Sequence, residues 1–213
     1  MNAVSHPDFA YSNELTLGEA LKRYFALNNF GAEGNYSDRW VEVKLGPIPF
    51  TIPNTPGRVR AVRYHDLNHL VTEYQTDLAG EMEISAWEIA SGCRDFFVAW
   101  SLNLSGLVFG MVRWPRRTLR AFLRGRRSKN FYGFEYGPEL LAQTVGEARQ
   151  KLGVPAREAE LRATASDVLA LAGYLLAGVP ILALNGVGSL LLTPVALLST
   201  ALIKSRRAAG PAT

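Results

Sequence analysis

Apolar positions recur at helical spacing along most of this chain, and the period changes only once. Residues 16–30, TLGEALKRYFALNNF, place Leu17, Leu21, Tyr24 and Phe25 on one face and close on Asn28-Asn29, which predicts a short helix. The next stretch, DRWVEVKLGPIPFTIPNTPG, alternates through Val41, Val43 and Leu45, turns at Gly46-Pro47 and resumes as a second apolar run. That pattern predicts a small β-hairpin. Three further prolines, Pro49, Pro53 and Pro56, keep it from being a central strand, so it reads as a decoration beside a helical body.

From about 62 to 112 the pattern is helical. The run 96–112, FFVAWSLNLSGLVFGMV, carries no charge and lies between Asp95 and Arg113. It is short for a bilayer span and is diluted by Ser101, Asn103 and Ser105, so a buried helix or the wall of an apolar pocket is expected. A polar helix follows at PELLAQTVGEARQKLGV, with Leu140, Leu141, Val145 and Ala148 inward and Gly153 as its C-cap. The tail, 168–203, is the most hydrophobic segment. NGVG at 185–188 splits it into arms of roughly 25 and 22 Å, each a little short of a hydrocarbon core of about 30 Å. Arg157 and Arg162 precede the tail and Lys204, Arg206 and Arg207 follow it, which places both ends on the cytoplasmic side. A hydrophobic helical hairpin entering the membrane is expected. The rival expectation is two amphipathic helices pairing between copies of the chain in water, a homo-oligomer. The fold class is therefore all-α. A helical bundle (58–163) follows an N-terminal helix and β-hairpin (1–57) and precedes the membrane-associating hairpin and basic tail (164–213).

Composition narrows the setting. The chain has 213 residues, 48% of them hydrophobic and 20% charged, which excludes a disordered polymer. One cysteine, Cys93, cannot form an internal disulfide and fits a reducing compartment. The first thirty residues lack the apolar core of a signal peptide. Positive charge concentrates in RWPRRTLRAFLRGRRSK, with eight cations and no acid. Trp114, Leu119, Phe122 and Leu123 give that segment one apolar side. A solvated face is the plain reading. The sharper one is an interfacial helix, with Arg113, Arg116, Arg117, Arg120 and Arg124 on lipid headgroups or phosphate. Nucleic acid is not expected, because the aromatics lie on the apolar side and not among the arginines as stacking platforms.

Candidate chemistry centres on HDLNHLVTEYQTDLAGEMEISAWE, residues 65–88. The chain has three histidines, and His65 and His69 stand here four apart, side by side on a helix. Two imidazoles so placed can share a metal ion. Glu81 is the candidate third ligand. It would lie about 18 Å along a continuous helix from His69, so the chain must double back between them. Thr76-Asp77 offers N-cap chemistry for a second helix, and Gly80 leaves room for a close crossing. On that helix Glu81, Ser85 and Glu88 share a face, with Glu88 a reserve carboxylate and Glu83 toward solvent. Such a donor set suits zinc, iron or manganese. Asp66 is either a fourth ligand or a base fixing an imidazole tautomer.

HDLNH, eleven residues and then Glu81 resembles the HDxxH-(x11)-E signature of the coenzyme Q (ubiquinone) biosynthesis protein 4 family. The Thr76-Asp77 and Gly80-Glu81 pairs are similar to that family's, and GPELLAQTVGEARQKLGV looks like its closing helix. The resemblance covers residues 58 to about 155. Glu73 stands where the family tends to have glycine, and the segments before 58 and after 164 depart from its common core.

The resemblance implies a mostly helical fold holding one divalent metal, usually zinc, with iron as the alternative. His65, Asp66, His69 and Glu81 occupy the ligand positions, and Asp66 and Glu81 are the acids expected to act in catalysis. It further implies an apolar tunnel for a polyprenyl chain, a prenylated quinone precursor as substrate, and oxidative decarboxylation of its ring. Partners would be membrane lipid and other quinone-biosynthesis proteins, at the cytoplasmic face of the inner or plasma membrane. Two other classes stand beside this one: a non-catalytic prenyl-lipid-binding scaffold, and a metal-dependent hydrolase of a prenyl or lipid phosphate.

Overall fold

The computed structural model describes residues 11–45, 48–157 and 159–208. Among them the architecture is all-α with one two-stranded antiparallel hairpin. Helix α1 (Leu17–Asn28) starts at a capping box in which Thr16 and Glu19 satisfy each other's backbone N–H, and it stops at Asn29 in the left-handed region. Its predicted apolar face, Leu17, Leu21, Tyr24 and Phe25, is buried. Strands β1 (Trp40–Leu45) and β2 (Ile48–Pro53) pair with Val41 opposite Ile52 and Val43 opposite Phe50. The Gly46-Pro47 turn lies outside the described residues.

The helical stretch from 62 onward is three helices: α2 (Pro56–Thr72), α3 (Leu78–Ser91) and α4 (Phe97–Arg113). Between α2 and α3 the chain doubles back as expected. Glu73 takes φ +61° as the C-cap of α2, and the Asp77 carboxylate accepts the Gly80 N–H at 2.7 Å to start α3. Left-handed backbone at Glu73 is the physical reason a glycine would suit that position. A Cβ at Gly80 would run into the Gln75 carbonyl, so the close approach is to the linker and not to a second helix. Helix α4 packs on α3 with Gly106 against Ser85, and its other side meets the C-terminal helix.

Helix α5 (Pro115–Gly125) lies across α3. Phe122 is fully buried there and Leu123 nearly so, so the expected dip of Phe122 into lipid does not occur. The core has claimed that side; Arg116, Arg117 and Arg120 are exposed while Arg124 is buried. The polar helix expected at 138–153 is two pieces, α6 (Pro138–Leu141) and α7 (Val145–Leu152). Thr144 interrupts it by forming a capping box with Glu147. Gly153 ends α7 at φ +64°.

The expected C-terminal hairpin is instead one helix, α8 (Ala165–Ala208), passing through NGVG and two prolines without a turn. Asn185 does not break it because its side-chain amide is engaged by α4, donating to the Ser101 carbonyl at 3.3 Å and the Ser105 hydroxyl at 2.9 Å. Leu169, Leu176 and Leu184 remain 74%, 79% and 71% exposed, so α4 covers only one side of α8. Over Ala165–Gly188 the helix is long and apolar enough to cross a membrane by length and composition. Exposed Phe97, Leu102 and Val112 extend the apolar surface onto α4, whose burial is thus partial.

Candidate metal centre

Helix α2 presents His65 and His69 one turn apart, and α3 returns Glu81 to meet them. One ligand atom from each lies within 4.8 Å of the others. The His65 Nε2–His69 Nε2 separation is 3.1 Å; Glu81 stands 3.4 Å from the first and 3.5 Å from the second. Atoms bonded at about 2.0–2.1 Å to a tetrahedral ion would be separated by roughly 3.3 Å, so the three donors fit a small divalent cation. His69 is 1% exposed and stacked on Tyr24, while Glu81 is 35% exposed on its side chain, so the approach to the site is from the Glu81 side. The crevice between Tyr11, Tyr24 and His69 has no space for a water molecule.

The tautomers follow from the acceptors behind each ring. His69 Nδ1 lies 2.8 Å from the Tyr74 carbonyl oxygen, which can only accept, so that nitrogen carries a proton. His65 Nδ1 lies 3.1 Å from Glu88, a carboxylate that also only accepts. Both Nε2 atoms therefore turn lone pairs toward each other and toward a carboxylate. Three electron-rich groups converging at 3.1–3.5 Å call for a cation between them, either a proton or a metal. Without a metal the proton takes that place. Burial opposes a charged His65, but Glu88 and Glu81 outweigh it and hold its pKa well above 6.5. For Glu81, burial favours the neutral acid; His69 and His65 prevail and hold it well below the usual carboxylate range.

Glu88 is not a member of the group of three. It is fully buried and accepts from four donors, two on each oxygen: His65 and Asn68 (2.8 Å) on one, Asn103 (2.5 Å) and Tyr132 (2.8 Å) on the other. Asn68 is fixed in turn by accepting the Phe131 N–H. The reserve carboxylate of the sequence is thus the group that aims His65.

Asp66 also stands outside the three. It accepts the Tyr36 hydroxyl at 2.5 Å, and burial raises its pKa against the pull of His65. Glu83, expected toward solvent, is 6% exposed and paired with Arg117 at 2.6 Å, because α5 covers that side of α3. Among the basic residues, Arg113 stacks on Trp114, Arg116 and Arg120 stand in solvent, and Arg124 donates to the carbonyls of Thr72 and Pro155.

Sequence reading missed Tyr36, Asn68, Tyr74, Asn103 and Tyr132. Only Asn103 carried a signal, an amide inside an otherwise apolar helix, where a buried polar group needs a partner. Comparison with protein-family models, with curated proteins and with solved structures finds no match to this chain.

Proposed function

We propose that this chain binds one divalent metal through His65, His69 and Glu81 and acts in quinone biosynthesis at a membrane surface, on a prenylated aromatic acid. The observation that carries the reading is the pair of converging Nε2 lone pairs, each enforced by an acceptor on the far side of its ring. The HDxxH-(x11)-E spacing supports the same assignment.

A bound divalent ion supplies Lewis acidity toward the carboxylate and phenolate of the substrate ring. The remaining work falls to the chain. Glu88 and the Tyr74 carbonyl hold the imidazoles in one tautomer and orientation. Asp66, whose burial raises its pKa against the opposing pull of His65 and of the Tyr36 hydroxyl donated to it, is placed to hold a proton beside the site. In the proposed reaction the bond from ring to carboxylate breaks and carbon dioxide leaves; water supplies the new hydroxyl oxygen, and dioxygen accepts the two electrons released and leaves as hydrogen peroxide. The exposed apolar surface of α8 and α4 supports attachment to a bilayer, where a prenyl tail resides, and the cytoplasmic face of the inner or plasma membrane is the proposed side.

Zinc is the expected metal and iron the alternative, since two histidines and a carboxylate serve both. Elemental analysis of purified protein should give about one ion per chain, lost in His65→Ala and Glu81→Ala. Mass spectrometry should then detect carbon dioxide loss from a prenylated hydroxybenzoate with the native chain alone. Stoichiometric metal and substrate binding without turnover would make the chain a scaffolding subunit, and absence of metal from native protein would end the reading.

A further inference from the structure

A second polar site lies behind the metal centre. Helix α5 turns Arg116, Arg117, Arg120 and Arg124 toward a cavity of about 240 Å³, with Tyr74 and Arg157 opposite and Glu83 at its edge. Five guanidinium groups therefore face a single carboxylate. Glu83 is already engaged by Arg117 at 2.6 Å, with Arg157 at 3.9 Å. Among the described residues, Arg116, Arg120 and Arg124 have no carboxylate within 4.0 Å.

Two observations point to a ligand. Arg124 is 3% exposed, and its described hydrogen bonds go only to neutral carbonyls, those of Thr72 and Pro155. A guanidinium buried to that degree is ordinarily paired with an anion. Tyr74 is 5% exposed and lines the cavity, and its buried hydroxyl makes no hydrogen bond of ordinary geometry among the described residues, meeting only the nearby positive charge of Arg124. A phenol buried without a partner is expensive, and a bound acceptor would satisfy it.

We propose that this cavity binds a phosphate group, held by the guanidinium forks of Arg116, Arg120 and Arg124 and by the Tyr74 hydroxyl. A phosphomonoester brings about −1.5 to −2 charge and three acceptor oxygens, which suits several forks better than a carboxylate does. The cavity is smaller than the roughly 300–1,000 Å³ of sites that enclose a whole organic ligand, so it takes a headgroup and leaves the rest outside. Val112, 81% exposed at the end of α4, and the half-buried Trp114 border the start of α5 and offer apolar surface for that remainder. The phosphate can belong to an anionic lipid or to a free ion. The site stands apart from the metal ligands and does not depend on the proposed reaction.

The test uses the full chain in detergent with inorganic pyrophosphate by calorimetric titration, and vesicles of phosphatidylcholine with or without phosphatidic acid by flotation. Tyr74→Phe, which keeps the ring, should fold and weaken pyrophosphate by about tenfold, the loss of one charge-assisted hydrogen bond, and Arg116→Ala with Arg120→Ala, both exposed, should fold and weaken it further, since two guanidiniums go. The exposed control Arg113→Ala with Lys129→Ala should leave it unchanged. If flotation with phosphatidic acid falls in the same variants, the source is a lipid headgroup; if only pyrophosphate binding falls, the source is soluble. Undetectable pyrophosphate binding, indifference to Tyr74→Phe, or equal weakening by the control pair would overturn the site.

Discussion

Replacing Glu88 by glutamine tests whether the buried network sets the metal affinity. The native carboxylate gives each oxygen two donors, and the substitution turns one oxygen into an NH2 group. If the NH2 faces His65 and Asn68, the His65 Nδ1 proton is lost to the other nitrogen and the metal-facing lone pair disappears. If it faces Asn103 and Tyr132, the phenol can rotate to accept, but the Asn103 amide at 2.5 Å then meets a donor. The second orientation leaves one mispaired buried donor and is the one expected. Its cost is about 1–3 kcal/mol of folding stability. The His65 imidazole keeps its tautomer but loses an ionic acceptor, so metal affinity should fall about tenfold, the lower end of what such outer partners contribute. Glu88→Ala leaves all four donors without an acceptor and should cost about 3–5 kcal/mol, with affinity down toward a hundredfold. Chelator competition measures the affinity, and urea unfolding of metal-free protein measures the stability. Should Glu88→Gln bind metal within twofold of native while losing stability, Glu88 would be a packing residue with no hold on His65.

Metal affinity should rise about tenfold per pH unit from 6.5 upward until the His65 folded pKa is passed, because metal displaces one proton there; a flat profile from chelator competition would contradict the raised pKa. In metal-free protein the sign reverses for folding: the His65 contribution is fully present below 6.5 and fades as pH climbs through the raised value, which a urea series across pH would read. Asp77→Ala removes the α3 cap and should cost about 1 kcal/mol. Gly80→Ala should cost more and also release metal, since the Gln75 carbonyl must move and Glu81 with it. Leu176→Lys together with Leu184→Lys places charge on the exposed side of α8, and vesicle flotation should drop sharply while the melting temperature stays within a few degrees.

The helical character and the return of Glu81 to the histidine pair were legible because both rest on local chemistry: an apolar period, an Asp77 cap, a small residue at 80. What escaped depends on partners far along the chain. Glu83 looked like a solvent-facing acid, and only the packing of α5, thirty-four residues later, buries it against Arg117. Glu88 was rightly placed on the face of Glu81, yet spacing cannot say which nitrogen of His65 it meets. NGVG carries the residues of a turn, and propensity there lost to Asn185 bonding with α4. The arginine helix showed its apolar stripe plainly, but a stripe reads the same whether lipid or a protein core covers it.

Tyr74 joins two places in the molecule that otherwise have no residue in common. Its main-chain oxygen steadies the imidazole of His69, and its ring lies between Arg124 and Arg157. A peptide plane and its own side chain share a Cα, so a displacement of the ring that χ1 and χ2 do not absorb reaches the carbonyl. A ligand that displaced the Tyr74 ring in that way would reach the imidazole of His69, five residues earlier in the chain.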